Sequence, residues 1–135
     1  MEKFYKIEIE QHGDERGCLT LFEHPKNVPF EIKRVYYLSG IKEGKKRACH
    51  AHRNSQRLTT AVCGSCEATL FDGKNKETFL LNSQKEALFF DKGVWCELNN
   101  FSPDAVLLLL ASEPYDESEY IRDYNEFLTY IGENQ

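Results

Sequence analysis

The stretch RACHAHRNSQR, residues 47–57, sets two histidines two positions apart among basic side chains. On an extended strand His50 and His52 project from one face, roughly 7 Å apart. Such a pair can hold a metal when further ligands converge. As neutral imidazoles with a pKa near ~6.5, the two can instead move protons at neutral pH. They can also be strand histidines with no role. Arg34, Lys33, Arg47, Arg53 and Arg57 crowd the same region of an otherwise acidic chain. Arginine forks match the paired oxygens of a diphosphate. Lys33 and Arg53 equally fit a solvated basic edge that discourages strand pairing. Tyr36, Tyr37, Phe30 and Trp95 offer stacking faces for a nucleobase or sugar, or else pack a core. On a regular strand only one of Tyr36 and Tyr37 faces inward.

These groups need a scaffold. The chain has 135 residues, 41% of them hydrophobic and 13% aromatic, with a net charge of −5. That suits one compact domain, residues 1–135, able to bury its own core. The acidic balance argues against general nucleic-acid binding. The longest apolar run, AVLLLLA at 105–111, has the length of a buried strand rather than a membrane helix. The beginning, MEKFYKIEIE, has no apolar signal core, so a cytoplasmic protein is expected. Cys18, Cys49, Cys63, Cys66 and Cys96 read as free thiols. CGSC at 63–66 has the spacing of a zinc or redox pair, but no second CxxC accompanies it. It reads as two small strand-end residues around a turn glycine.

Short runs such as FYKIEIE, IKRVYYLSG, CEATLFDG and VWCELNN are rich in β-branched and aromatic residues, with turn residues between them. FDGKNKE and FDKG read as hairpin turns. The pattern predicts an all-β sandwich or barrel over about 4–112. Only the end differs. Tyr120, Ile121, Tyr124, Phe127, Leu128 and Ile131 fall at helical spacing. They predict a C-terminal helix over about 117–131, capped by Asp116 or Ser118.

The spacing around the histidines is similar to that of the cupins. Gly44, His50, His52, Arg57 and Gly64 match the first cupin motif, and DKGVWCELNN at 91–100 matches the second. In metal cupins the positions of His50, His52, Arg57 and Cys96 carry His, His, Glu and His. Arg57 does not ligate, and its charge repels a divalent cation. A His, His, Cys set could still hold zinc, but Arg57 opposes it. The favoured reading is therefore metal-free.

PFEIKRVYYL, HAH, GVWCEL and LASEPYDESEYIRDYNEF resemble the nucleotide-sugar 3,4-ketoisomerases, small cupins acting on dTDP-4-keto-6-deoxyglucose. The resemblance runs from about Phe4 to Phe127. It implies a jelly-roll β-barrel, no cofactor, and a homodimer with exchanged N-terminal strands. The implied product is a 3-keto sugar that feeds aminotransferases making 3-amino-3,6-dideoxyhexoses for surface glycans. The implied catalytic residues are His50, His52 and Tyr37. The expected roles are His52 as carbon base, His50 as its partner at the hydroxyl, and Tyr37 as the oxygen-side acid, with nothing in the sequence dividing the work between the two histidines. Arg47 is similar to the family's phosphate-side arginine. Arg34, Arg57, Tyr36 and Trp95 complete the expected substrate contacts. Family members often have Gln at the position of Arg57 and His at that of Cys96, so the hold on the sugar is expected to differ. A 3,5-epimerase, a non-catalytic sugar-binding cupin and a metal-dependent cupin oxygenase are the competing readings.

Overall fold

The computed structural model describes residues 2–133. The first strands are β1 (Phe4–Glu8), β2 (Gln11–Asp14), β3 (Gly17–Thr20), β4 (Arg34–Ser39), β5 (Arg47–His52) and β6 (Arg57–Cys63). They continue through β7 (Cys66–Phe71), β8 (Lys76–Leu81), β9 (Glu86–Phe90), β10 (Trp95–Asn99), β11 (Val106–Ala111) and β12 (Tyr120–Ile121) to the helix α1 (Tyr124–Glu133). One five-stranded antiparallel sheet runs β1-β9-β6-β11-β4, and a second runs β12-β5-β10-β7-β8. Strands β2 and β3 form a separate hairpin.

Period-two patterning explains how the sheets pack. Cys66, Ala68 and Leu70 of β7 turn inward, with Cys96 and Leu98 of β10. They meet Ala61, Leu88, Phe90, Leu107 and Leu109 of the opposing sheet in one core. This is the all-β jelly-roll barrel expected from the sequence. The first sheet is covered on its outer face too. Leu58, Phe89 and Leu110 pack there against Ile9, Val28 and Phe30. Burial on both faces accounts for the unbroken apolar runs of β9 and β11. Phe30, a candidate stacking residue, is thus a core residue beside Phe89.

Turn chemistry follows the sequence at the β7–β8 hairpin, where the Asp72 carboxylate accepts from the Lys74 and Asn75 amides. Gly64 in CGSC has φ +67°, and a Cβ there would collide with Ser102, Asp104 and Ala105. The glycine makes the turn, and Cys63 and Cys66 remain free thiols.

The C-terminal helix is shorter than expected. It begins at Tyr124, not near 117. Residues Glu117–Glu119 form one 3-10 turn, with the Ser118 amide donating to the Asp116 carboxylate at 3.0 Å. Tyr120 and Ile121 then pair with His52 and Ala51. Strand pairing takes these residues from the helix, which starts instead where the Asp123 carboxylate accepts from the Glu126 amide at 3.0 Å. Among the described residues no helix is long and apolar enough to cross a membrane.

Candidate active site

Strand β5 carries a bulge at its centre. Ala48 and Cys49 have φ of +67° and +57°. His50 stands opposite Cys96, and Ala48 opposite Glu97, so Cys49 is the extra residue. Consecutive left-handed residues other than glycine are strained, typically by about 1–3 kcal/mol each. The bulge turns Ala48 and His50 into a cavity of about 480 Å³ at the barrel mouth.

Leu38, Leu98, Leu109 and Phe90 give that cavity an apolar lining. Lys46, Arg47 and Arg122, all exposed, add cationic side chains. Arg122 is held by the Glu117 carboxylate at 2.7 and 3.0 Å, and Glu117 also accepts from the Tyr115 hydroxyl at 2.7 Å. Arg122 holds the Glu117 carboxyl down at about 2.

Both histidines face inward, as strand alternation requires, but at different depths. His50 lines the cavity. His52 is 1% exposed and sits behind it, with ring centroids 4.9 Å apart. Burial, reinforced by the Arg57 and Arg122 charges, pushes the His50 imidazole down to about 3. Burial and then Arg57 also push His52 far down. Both rings are neutral at pH 7. His52 Nδ1 lies 2.9 Å from Glu119 Oε1, and Glu119 Oε2 accepts from the Asn54 amide at 3.2 Å. A neutral His52 donates its Nδ1–H to that carboxylate, which leaves a lone pair on Nε2. Among the described residues Nε2 has no partner.

Tyr120 joins the two imidazoles. Its ring centroid lies 4.9 Å from that of His50 and 4.2 Å from that of His52. Its hydroxyl accepts from Arg34 Nη2 at 3.1 Å. Arg34 also lies over the Tyr36 ring at 4.4 Å. Tyr36 lines the cavity, and burial raises its hydroxyl pKa. Arg57 is 1% exposed, with its Cζ 4.5 Å from the Phe90 ring centroid. Burial pushes the facing Cys96 thiol up to about 12, so it is neutral. Among the described residues, no three His, Cys, Asp or Glu side chains converge as a metal-ligand set.

Of the residues singled out in the sequence, His50, Arg47, Arg57 and Tyr36 share the cavity wall. His52 and Arg34 sit directly behind it. Two do not belong. Tyr37 is 68% exposed on the outer face of β4, because strand alternation sends it opposite to Tyr36. Trp95 is buried under α1 against Tyr124 and Phe127, with ring centroids 5.1 and 5.4 Å away. Helical spacing hides three further site residues, Glu119, Tyr120 and Arg122. The signal for Tyr120 and Arg122 is period two. Tyr120 and Arg122 line the cavity, while the intervening Ile121 is buried against Trp95 and Phe127.

The arrangement suits proton transfer on a bound anion: a neutral imidazole, phenolic hydroxyls and fixed cations around a partly apolar cavity. Known proteins of this shape agree. A curated relative, TDP-4-oxo-6-deoxy-alpha-D-glucose-3,4-oxoisomerase from Aneurinibacillus thermoaerophilus, is 41% identical over 126 residues, 93% of this chain and 91% of its own. A 3,4-ketoisomerase from Helicobacter canadensis superposes with a TM-score of 0.94 at 41% identity, covering 98% of this chain and 99% of its own. QdtA, a sugar 3,4-ketoisomerase from Thermoanaerobacterium thermosaccharolyticum solved in complex with TDP, has a TM-score of 0.94 at 31% identity, covering 98% and 96%. The model of the FdtA family, described as WxcM-like, C-terminal, matches residues 2–132, and with these relatives it establishes that the chain belongs to that family.

Proposed function

We infer that this chain is a TDP-sugar 3,4-ketoisomerase, converting TDP-4-keto-6-deoxyglucose to the 3-keto isomer. The observation that carries the chemistry is a neutral His50 on the wall of a cavity bordered by cations. A ketone at C4 acidifies the C3 proton. His50, which reaches the cavity, removes that proton and so takes the part expected of His52. General base catalysis of this kind contributes on the order of 10²–10⁴-fold. His52, buried and fixed by Glu119, orients His50 and Tyr120 from behind. Tyr36 replaces Tyr37 as the hydroxyl that exchanges a proton with the sugar oxygens. Arg47, Lys46 and Arg122 bind the diphosphate. Its negative charge offsets the cations that depress His50 and makes the imidazole a stronger base once substrate is bound.

The test is a time course by NMR with TDP-4-keto-6-deoxyglucose in D₂O. Deuterium at C4 with a new 3-ketone is the expected result. Exchange at C3 and C5 without carbonyl migration would assign a 3,5-epimerase instead. Binding without any exchange would leave a sugar-binding protein.

The same reading includes a homodimer that exchanges N-terminal strands. Its support is exposed apolar surface on Leu19 of the β2–β3 hairpin and on Val35 and Tyr37 of the edge strand β4. Strand β1 pairs with β9 of its own chain, so the hairpin is the part free to cross. Light scattering at a monomer mass would rule this out. Five free cysteines fit a reducing, cytoplasmic compartment.

A further inference from the structure

We propose that Arg57 grips the two reacting oxygens of the sugar and holds the negative charge of the enediolate, a role that rests on the ketoisomerase reading above. Arg57 is 1% exposed and, among the described residues, no carboxylate forms an ion pair with it. An unpaired charge so deeply buried is unfavourable for the free protein. Its Nε and Nη2 have no hydrogen-bond partner among the described residues. The Phe90 ring covers the guanidinium plane at 4.5 Å, which leaves only the edge for hydrogen bonding. The Glu119 carboxyl attracts it electrostatically but makes no hydrogen bond to it, being held by His52 and the Asn54 amide. The Cys96 thiol and the Tyr36 hydroxyl are both held in their neutral forms by burial.

Depth decides which part of the substrate this edge meets. Lys46, Arg47 and Arg122 are exposed and suit the diphosphate, whereas Arg57 lies buried in the opposing sheet, lining the same cavity as His50. A group at that depth faces the ring that His50 deprotonates. When the C3 proton moves to His50, the C–H electron pair becomes the C3=C4 bond and the carbonyl pair moves onto O4. A proton passes from O3 to O4. The O3 pair then forms the C3 ketone, and C4 takes a proton back. Nothing is oxidised overall, and charge resides in turn on O4 and O3. In a cis-enediolate these oxygens lie side by side in one plane, as in a carboxylate. The Nε and Nη2 edge of a guanidinium presents two parallel N–H donors to such a pair.

The experiment compares wild type with Arg57→Gln, Arg57→Met and Arg57→Ala, measuring turnover, TDP affinity by calorimetry and the Tm of ligand-free protein. We expect kcat to fall roughly 10²–10³-fold, the loss typical for one oxyanion donor. TDP affinity should stay within about twofold, and millimolar guanidinium should restore part of the turnover of Arg57→Ala. The Tm of ligand-free Arg57→Met should equal or exceed that of wild type, because the unpaired charge is gone. Unchanged kcat overturns the proposal. So does a fall in TDP affinity as large as the fall in kcat, which would move Arg57 to the diphosphate. A lowered Tm without guanidinium rescue would make it structural. Wild-type protein that binds TDP but never moves the carbonyl sinks the ketoisomerase reading itself, and this role with it.

Discussion

The Nδ1 of His52 lies 2.9 Å from Oε1 of Glu119, and both side chains are buried. The contact ties β5 to the C-terminal segment across 67 positions of sequence. It fixes which nitrogen of His52 carries the proton and so which one faces the rest of the site. The same carboxylate accepts from the Asn54 amide, so the segment that carries Tyr120 is locked against the end of β5.

Replacing Glu119 separates the charge from the hydrogen bond. Glu119→Gln keeps an acceptor for Nδ1 but no charge, and kcat should drop by roughly tenfold or more with KM nearly unchanged. Glu119→Ala leaves the imidazole and the Asn54 amide unpaired, each at a cost of about 1–3 kcal/mol. Thermal denaturation should show a clear fall in Tm for the alanine variant. An unaltered Tm would show that this buried pair contributes nothing to stability.

His50 and His52 should respond differently to substitution. His50→Gln should lose turnover on the order of 10²–10⁴-fold while TDP still binds, because the base alone is removed. His52→Asn should lose less turnover and more stability, since it empties a buried site beside Glu119. Parallel deuterium-exchange rates and melting curves decide this. A larger loss of exchange for His52 than for His50 would return the base role to the deeper ring.

The adjacent tyrosines form a control pair. Tyr36→Phe should lower kcat roughly tenfold or more, while Tyr37→Phe should stay within about twofold of wild type. Steady-state kinetics on both variants suffices. The reverse order would place the outer face of β4 at a site the isolated chain does not form.

Stability should depend on pH through His50. Its pKa is lowered from 6.5 to about 3 in the folded chain. The unfolded chain therefore takes up the proton first, and stability present above pH 6.5 is lost as pH falls toward about 3. His52 shifts in the same direction. Arg57 from β6 and Arg122 from the C-terminal segment oppose the imidazolium, while Glu117 favours it. Urea titrations across this range should give a shallower pH slope for His50→Gln than for wild type. Equal slopes would show that His50 titrates normally.

Some of this was written in local sequence. Period-two apolar runs and turn residues such as Asp72 and Gly64 set the strands, and one residue between His50 and His52 put both on one face. The spacing of the first motif sets Arg57 close behind the histidines along the chain, whereas Cys96 meets His50 only through the pairing of β10 with β5. Tertiary structure decided the rest. Alternation required one of Tyr36 and Tyr37 to point inward, but only the pairing of β4 with β11 selected Tyr36. Helical spacing around Tyr120 was outweighed by strand pairing with His52, a contact between distant residues that no local window contains. The bulge at Ala48 and Cys49 set His50 at the cavity and His52 behind it. Depth is a property of packed sheets, and it is depth that divides a proton-moving histidine from a supporting one.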